Sequence, residues 1–429
     1  MTIRRPPISL FAFAIIAIGF LYLLPNRMLA DEHVHWPQAL RFSKGDWQVD
    51  PWLSTWPTMN FVVSCVLRLF DSEQLWLGRL TIIAFALLAY IGFVRLASAV
   101  QSPSPRDGKA SAAASELKAL QWFVGPLMLL VSTVLYTDVP ALFALVWAAV
   151  GVVERRRALF LIAGIATVMF RQTHLVWFAA LLAWHLALTW RASTSLTEPR
   201  VSTKLFAMIR TERWTLLVSA TAAVCWASVV ATTGGVAFGV NTQPAHHVGV
   251  GGVANEFFAM VVWTAAFAPL ALGTLLALAR DQTTRREAFR SAAVVLVVAV
   301  MAALFFEATL PGNTHPSTMV LIRNQALQAL NHPLGRVLMV ALCVAGAVVW
   351  WRTSFAPLMQ PFKWPFFAVS ALYLLPFSLI EQRYYLPMFM LLAAFRVPLA
   401  ARWEWAQLGW SIALSALLLY HVVNKGRFL

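Results

Sequence analysis

Apolar runs of near-membrane length recur along the whole chain, separated by short polar and basic segments. A transmembrane helix needs about 20 mostly apolar residues to cross the hydrocarbon core of a bilayer. The composition agrees, because 60% of the residues are hydrophobic and 12% are charged, whereas a soluble domain carries about 25% charged residues. The sequence therefore predicts an all-α polytopic membrane bundle of about thirteen transmembrane helices, formed as a single domain over residues 1–429.

The predicted spans differ in length. They lie at 8–24, 75–97, 119–135, 139–153, 158–170, 175–190, 214–233, 256–279, 291–308, 337–351, 365–380, 385–400 and 406–423. Several are shorter than a span prefers, so the pairs within 119–153 and 158–190 can tilt or divide at other boundaries. The stretch Met59–Phe70 is short and is interrupted by Arg68, which predicts an interfacial helix instead.

Basic residues set the predicted orientation. Arg4 and Arg5 precede the first run, which places the N-terminus in the cytoplasm by the positive-inside rule. Met28 stands where a signal peptide cut after Ala30 would need a small residue, so we expect an uncleaved helix. Alternating the later spans leaves most of the 33 Lys and Arg residues inside, and it makes residues 25–74 the first extracytoplasmic loop.

The net charge of +15 comes largely from these basic loops. Such clusters are attracted to anionic lipid, so membrane lipids are expected partners and a nucleic acid is not. The three cysteines are scattered in apolar surroundings, which indicates neither a disulfide framework nor a metal site. Many arginines and alanines with few lysines favour a bacterial inner membrane; in a eukaryote the corresponding location would be the ER membrane.

The first extracytoplasmic loop holds the most polar sequence next to a predicted span. Asp31 and Glu32 are adjacent, and His35, Trp36 and Gln38 follow them. A membrane glycosyltransferase needs a carboxylate at the water interface that faces a lipid-carried sugar, so the acidic pair is the candidate catalytic site. The alternative is a solvated loop whose tryptophans anchor it to the lipid headgroups.

Four further segments on the same predicted face contain ionisable groups, which are expensive near hydrocarbon and usually mark a site. The candidates are Tyr136 and Asp138, then Arg171 and Gln172, then His246, and finally Glu381, Arg383 and Tyr384. Structural alternatives exist for each of them. Asp138 can cap the following helix, Arg171 can extend to the headgroups, and His246 can be a solvated loop histidine. Glu381 and Arg383 can pair with other loops, and Arg323 is interpreted as solvated.

No cofactor is predicted. The pair His246–His247 lacks a third ligand at metal spacing, which argues against zinc. The sequence contains no glycine-rich phosphate loop and no acidic motif for a nucleotide-bound metal, which argues against a soluble nucleotide-sugar donor.

Five sequence blocks in one order resemble the dolichyl-phosphate-glucose-dependent α-1,2-glucosyltransferases. The blocks are Asp31-Glu32 with His35 and Gln38; Tyr136-Thr137-Asp138; Phe170-Arg171-Gln172-Thr173; Gly234-Gly235 with Gly239 and His246; and Glu381 with Arg383, Tyr384 and Pro387. They extend over about residues 31–390. Two departures stand out: Val240-Asn241 replaces an acid expected after Gly239, and only Arg323-Asn324 remains of an Asp-Asn-Arg-His-Tyr block.

The resemblance implies a GT-C fold and a polyprenyl-phosphate sugar donor, with glucose transferred by inversion to an extracytoplasmic glycan or lipid-linked acceptor. A carboxylate would remove the acceptor proton, and arginines would bind the departing phosphate. Asp31 or Glu32 is the base, with Asp31 favoured because it lies nearer the membrane. Arg171 and Arg383 are the expected phosphate ligands. The expected substrate contacts are His35, Trp36, Gln38, Tyr136, Asp138, Gln172, His246, Glu381 and Tyr384.

Other functions stay open at this stage. The first alternative is a transferase of another lipid-linked sugar, such as mannose or a pentose. A lipid or sugar transporter would need polar groups near the middle of the membrane, where His185 is one of few candidates. A non-catalytic membrane scaffold is the third.

Overall fold

The computed structural model describes residues 7–101, 108–193, 201–233, 252–280, 282–306, 321–377 and 379–425. These residues form helices and turns, and the extended pairing among them is a single isolated antiparallel bridge between Phe355 and Arg396. The prediction of an all-α chain is confirmed.

The helices have the following bounds. In chain order they are α1 (Ile8–Leu23), α2 (Glu32–Ser43), α3 (Thr58–Leu69), α4 (Leu75–Gln101), α5 (Gly108–Phe123), α6 (Pro126–Val131), α7 (Asp138–Val153), α8 (Arg157–Phe170), α9 (Leu175–Ser193), α10 (Val201–Thr233), α11 (Gly252–Ala266), α12 (Ala268–Arg280), α13 (Gln282–Phe305), α14 (Ile322–Asn331), α15 (Pro333–Arg352), α16 (Lys363–Leu374), α17 (Leu386–Phe395) and α18 (Ala401–Lys425). Short 3-10 turns lie at Gln172–His174, Gln360–Phe362 and Gln382–Tyr385.

Fewer helices than predicted are long enough to cross a bilayer. Within the described residues, five helical stretches are long and apolar enough, at Leu75–Gln101, Gln172–Arg191, Leu205–Thr232, Pro333–Arg352 and Ala401–Lys425. The bent pair α11 and α12 makes a sixth if it is one span. The count of thirteen is not confirmed, because several apolar runs form helices of 10–17 residues, shorter than the roughly 20 that a perpendicular span needs.

Two predicted spans are interrupted by identifiable residues. The run 119–135 divides at Gly125, after which Pro126 begins the short helix α6. The run 256–279 divides between α11 and α12, which meet at 90°. Pro269 lies in the first turn of α12; a proline lacks the N–H that a continuing helix would use, which accounts for the bend.

Helix α7 lies in the core and connects the two ends of the bundle. It is almost entirely buried and packs against α4, α8 and α9. At its C-terminus Arg155 has a left-handed φ of 56°, and a Cβ on Gly151 would lie 2.5 Å from the backbone nitrogen of Phe160. This close approach lets α8 return directly along α7, so that the residue after α8, Arg171, comes back to the start of α7.

The first predicted loop, residues 25–74, contains two short helices, α2 and α3. Helix α3 matches the expected helix at Met59–Phe70, and its apolar side packs against α2. Arg68 Nε donates to the backbone oxygen of Ser43 at 2.8 Å, which satisfies a carbonyl at the C-terminal end of α2. The interfacial position of α3 stays a prediction.

Candidate active site

Six charged side chains from five separate segments meet at one end of the bundle. They are Asp31 before α2, Asp138 at the start of α7, Arg171 after α8, Arg323 in the first turn of α14, and Glu381 and Arg383 before α17. We call this set the Arg383 cluster. Three arginines face three carboxylates, so the formal charges of the cluster balance.

Arg383 is the centre of the cluster. Its Nη1 donates to Asp31 Oδ2 at 2.7 Å and lies 3.7 Å from Asp138 Oδ2. Its Nε donates to Glu381 Oε1 at 2.8 Å, and its guanidinium lies 4.4 Å from the ring centre of Tyr136, within cation–π range. Burial lowers the pKa of Arg383, but the charges of Asp31 and Glu381 more than offset this and raise the pKa well above its ordinary value. Arg383 is therefore a fixed cation.

Arg171 pairs with Asp138 inside the same cluster. Arg171 Nη1 donates to Asp138 Oδ1 at 2.6 Å, and the guanidinium lies over the ring of Tyr384 at 5.6 Å. Arg171 is buried rather than extended to the headgroups. Burial lowers the pKa of Arg171, but the charge of Asp138 outweighs it and raises the pKa.

Asp138 does not act as a helix cap. It is the first residue of α7, after the N-cap residue Thr137, and its Oδ1 accepts from Arg171 instead. Its Oδ2 is buried and has no hydrogen bond. A buried acceptor without a donor loses its solvation without compensation, so this oxygen is a point where the cluster is incomplete.

The interpretation of Arg323 as a solvated residue is wrong. Arg323 is buried, and its Nη1 lies 2.7 Å from Glu381 Oε1. Glu381 thus lies between Arg323 and Arg383. Burial raises the pKa of Glu381, but Arg383 and Arg323 together lower it to about 2. The sequence feature that could have indicated this role is the pair Arg323-Asn324, which is what remains of the family's Asp-Asn-Arg-His-Tyr block. Arg323 Nε donates a hydrogen bond to Asn324 Oδ1 at 3.1 Å.

Asp31 differs from the rest of the cluster in its exposure. Its side chain is 44% exposed, whereas that of Arg383 is 14% exposed and that of Asp138 is 3% exposed. A carboxylate fixed on one side by an arginine and open on the other can meet a molecule that enters from outside. Asp31 is therefore the part of the cluster that an incoming hydroxyl can reach.

Glu32, the other candidate base, points away from the cluster. It is fully buried, and Arg79 in α4 donates to both of its carboxylate oxygens, at 2.9 and 2.6 Å. The backbone N–H groups of Leu29 and Leu135 donate to the same two oxygens. The adjacent acids thus diverge, and the two oxygens of Glu32 already accept four protein donors.

The three residues predicted after the acidic pair are buried or occupied by protein contacts. His35 is buried, and Asn60 Nδ2 donates to its backbone oxygen at 2.8 Å. Burial lowers the pKa of His35, and the nearby charge of Asp31 offsets this in part, so the ring is neutral at neutral pH. Trp36 packs over Gly78 in the core.

Gln38 braces the loop after α2. Its Nε2 donates to the backbone oxygen of Gln48 at 2.9 Å, and its Oε1 accepts the backbone N–H of Asp50 at 2.6 Å. Both ends of the amide are used within the protein. Gln38 was predicted to contact substrate, but its amide faces the loop after α2.

The other predicted substrate contacts are placed as follows. Tyr136 and Tyr384 form two aromatic walls of the Arg383 cluster, through their contacts with Arg383 and Arg171. Gln172 Nε2 donates to the backbone oxygen of Ser54 at 2.7 Å, which ties the turn after α8 to the first loop. His246 lies outside the described residues.

A narrow cleft with room for about one water molecule lies beside Arg383. Four of its lining residues are apolar and three are polar. The apolar residues are Leu127, Leu130, Val131 and Leu386, and the polar ones are Tyr136, Gln382 and Arg383. Gln382 Oε1 is buried without a hydrogen bond. The cleft combines a hydrocarbon surface with a guanidinium at its edge.

The described part of the chain contains no group of three or more His, Cys, Asp and Glu side chains placed to hold a metal ion. The positive charge that the site offers to an anion comes from arginine.

A comparison with protein-family models decides the family. The model of the DIE2/ALG10 family matches residues 25–394, which include every member of the Arg383 cluster. The chain belongs to the DIE2/ALG10 family. Membership implies a membrane glycosyltransferase of lipid-linked oligosaccharide synthesis. No curated protein and no solved structure matches the chain significantly.

Proposed function

We propose that this DIE2/ALG10 family member transfers a sugar from a polyprenyl-phosphate donor to an extracytoplasmic glycan acceptor carried on a lipid, with inversion at the anomeric carbon. Glucose is the proposed sugar, by family resemblance. The observation that carries the proposal is the geometry at Asp31: an exposed carboxylate is held by Arg383, and Arg383 also lines a partly apolar cleft.

The donor fits this geometry by its chemistry. A polyprenyl-phosphate sugar has a hydrocarbon chain that suits the apolar residues of the cleft and a phosphate that suits a guanidinium. Arginine binds phosphate oxygens through two parallel hydrogen bonds. Arg383 would bind the phosphate first, and the guanidinium groups of Arg171 and Arg323 would add further donors to the phosphate oxygens. With arginines in this role, no metal ion is required, and transfer should be insensitive to a chelator.

Donor binding would also change the state of the base. Arg383 Nη1 is bonded to Asp31 Oδ2, and the donor phosphate would compete for that donor group. When the phosphate takes the arginine, Asp31 is released towards the acceptor. Donor would then bind before acceptor.

The transfer step follows from these positions. Asp31 takes the proton of the acceptor hydroxyl while the hydroxyl oxygen attacks the anomeric carbon from the face opposite the phosphate. The bond between the anomeric carbon and the phosphate oxygen breaks, and polyprenyl phosphate leaves with the electron pair. The arginines stabilise the charge that develops on the leaving phosphate. A new glycosidic bond and a protonated Asp31 result, and the proton is then lost to water.

We assign Asp31 rather than Glu32 as the base. The oxygens of Glu32 accept hydrogen bonds from Arg79, Leu29 and Leu135, whereas Asp31 faces outward. The aromatic rings of Tyr136 and Tyr384 are proposed to stack against sugar, and Asp138 to accept a sugar hydroxyl on its unbonded Oδ2.

The location of the site is part of the proposal. The positive-inside bias supports a multi-pass inner-membrane protein with a cytoplasmic N-terminus and the Arg383 cluster outside. Cysteines replacing exposed Asp46 and exposed Arg155 test it, in a variant with Cys65 and Cys225 changed to serine. An impermeant thiol reagent applied to intact cells should label the first and spare the second. The opposite labelling pattern would invert the proposed orientation.

The activity is tested by measuring radiolabelled sugar transfer in membranes that overproduce the protein. A panel of polyprenyl-phosphate glucose, mannose and pentose donors is offered, with Asp31→Asn as the matched control. We expect transfer from the glucose donor that is lost in the control. Transfer from a mannose or pentose donor alone would replace glucose, and no transfer from any of the three would remove the proposed donor class.

Transport receives no support from His185, the mid-span candidate named above. His185 Nε2 lies 3.1 Å from Glu212 Oε2, and Arg157 donates to the other oxygen of Glu212 at 2.8 Å. Arg157 is the first residue of α8, at the end opposite Arg171. This group therefore ties α8, α9 and α10 together at one end of the bundle.

A further inference from the structure

A buried ion pair outside the Arg383 cluster takes no direct part in the proposed reaction. It joins Glu32 to Arg79, whose side chains are 0% and 3% exposed. The two N–H groups of the arginine fork donate to the two carboxylate oxygens of Glu32 at 2.9 and 2.6 Å. Arg79 is a residue of α4 that no sequence motif singled out.

The pair connects three segments of the chain. Glu32 Oε2 accepts the backbone N–H of Leu29 at 2.9 Å, and Glu32 Oε1 accepts that of Leu135 at 3.0 Å. Arg79 also donates to the backbone oxygens of Pro25 and Arg27, at 3.0 and 2.8 Å. The first loop, α4 and the segment before α7 are therefore held at one point.

The residues next to these bonds belong to the proposed site. Asp31 immediately precedes Glu32. Tyr136 and Asp138, which lie around Arg383, follow Leu135 by one and three residues. A shift of Glu32 relative to Leu135 would move Asp31 relative to the other side of the Arg383 cluster.

The backbone before Asp31 is also strained. Ala30 has a φ of 47°, in the left-handed region that residues other than glycine seldom adopt. Strained backbone persists where surrounding contacts determine it. The bond from the Leu29 N–H to Glu32 closes this turn, so the ion pair and the strained residue act on the same four residues.

We propose that Glu32 and Arg79 are positioning residues that fix the direction of the Asp31 carboxylate. This inference rests on the proposed function, in which Asp31 is the base. It gives the second acid of the adjacent pair a role distinct from proton transfer, and it adds Arg79 to the residues that turnover requires.

Glu32→Asp is the primary test. Aspartate keeps the charge opposite Arg79, so no uncompensated charge is left buried. Its side chain is one methylene shorter, so it cannot reach Arg79, Leu29 and Leu135 together. A displacement of about 1 Å at a catalytic group can lower a rate about 10²-fold. We expect kcat to fall about 10- to 10²-fold with donor KM close to wild type, and Tm to fall less than in Glu32→Gln because the buried charge keeps its partner. Wild-type kcat in Glu32→Asp would overturn the inference.

The double variant Glu32→Gln with Arg79→Gln separates positioning from stability. Each single variant leaves one buried charge without its partner and should lower Tm, whereas the double variant leaves none. We expect the double variant to recover Tm relative to the singles without recovering kcat. Recovery of kcat in proportion to Tm would mean that the pair only stabilises the fold.

A matched control is the buried pair Arg396–Glu404, which is bonded in the same two-pronged way at 2.6 and 2.8 Å but lies beyond the far end of α17. The double variant Arg396→Gln with Glu404→Gln should keep wild-type kcat. The two hypotheses fail differently. Full activity in Asp31→Asn would remove the proposed base, whereas a dead Asp31→Asn with a fully active Glu32→Asp would remove only the positioning role.

Discussion

Helix α17 separates two ionic clusters that differ in how far they are exposed to solvent. The helix is ten residues long, which corresponds to about 15 Å. Arg383 lies in the turn before it and Arg396 directly after it. The second cluster consists of Lys118, Gln121, Arg396 and Glu404, and we call it the Arg396 cluster.

The Arg396 cluster is closed to solvent, although Arg396 Nε is buried without a hydrogen bond. Lys118 donates to the backbone oxygens of Ala394 and Arg396, both at 2.8 Å, and so satisfies carbonyls at the end of α17. Glu404 accepts from Arg396, from Gln121 and from the backbone N–H of Leu399. All four side chains of the cluster are buried. The groups face one another and the backbone, which is what holding helices together requires.

The Arg383 cluster is open by contrast. The Asp31 side chain is 44% exposed, whereas all four side chains of the Arg396 cluster are buried. Each cluster contains one buried polar atom without a hydrogen bond, Asp138 Oδ2 in the first and Arg396 Nε in the second. The two clusters therefore differ in their exposure to solvent. This difference is what the proposed function requires, because a ligand can reach the open cluster at Asp31 but cannot reach the closed one. Variants at the two ends of α17 test that distinction.

The largest effect is expected for Asp31→Asn. The amide has the same shape but cannot take a proton at neutral pH, and loss of a general base lowers turnover about 10²- to 10⁴-fold. Folding should be little changed, because the side chain is partly exposed and its contact with Arg383 can be kept by the amide oxygen. Turnover and Tm are measured on the purified full chain. Asp138→Asn is the companion variant, and near-normal turnover in Asp31→Asn with a dead Asp138→Asn would move the base to Asp138.

The next largest effect is expected for Arg383→Lys. Lysine keeps the charge but not the planar fork, so it cannot hold Asp31 and Glu381 together or bind phosphate through two parallel bonds. Removing such a stabilising donor lowers kcat about 10²- to 10³-fold. Donor affinity, measured as the shift of Tm on adding polyprenyl phosphate, should fall in parallel. If Arg383→Lys keeps both kcat and the shift, the arginine is structural and the comparison between the clusters fails.

Glu404→Gln should show the opposite pattern. Breaking a buried pair by removing one charge destabilises a protein by about 3–5 kcal/mol, so Tm should fall clearly. Turnover per folded molecule should stay within about a factor of two, since distant sites are nearly independent. Thermal unfolding and turnover on the same preparation provide the check. A large loss of kcat with normal donor KM would show that the Arg396 cluster also acts on the site through α17.

The sequence predicted which residues belong to the open cluster better than it predicted the contacts among them. Residue type and turn position were sufficient to select Asp31, Asp138, Arg171, Glu381 and Arg383, because ionisable groups near hydrocarbon on one predicted face usually mark a site. The contacts between Arg323 and Glu381, and between Arg79 and Glu32, join residues far apart in the chain. Spacing along a sequence contains no signal for such pairs.

The helical class was predictable and the number of spans was not. Apolar content selects helices in a membrane, but length alone cannot tell a tilted or broken span from a buried short helix. The bend at Pro269 and the break at Gly125 divide runs that read as continuous.

The smallest effect is expected for Gln38→Ala, because both polar atoms of the Gln38 amide are already hydrogen-bonded within the protein. Gln38 joins α2 to the backbone of Gln48 and Asp50, and each such bond contributes about 1 kcal/mol. We therefore expect a small fall in Tm and a kcat within about a factor of two of wild type. Gln38→Glu is the control, because its carboxylate can still accept the Asp50 N–H but cannot donate to Gln48. If Gln38→Ala instead raised the acceptor KM strongly at unchanged Tm, the amide would contact sugar as the sequence suggested. The loop after α2 would then have to open during turnover. Hydrogen bonding within the protein would no longer distinguish structural residues from substrate-binding residues in the first loop.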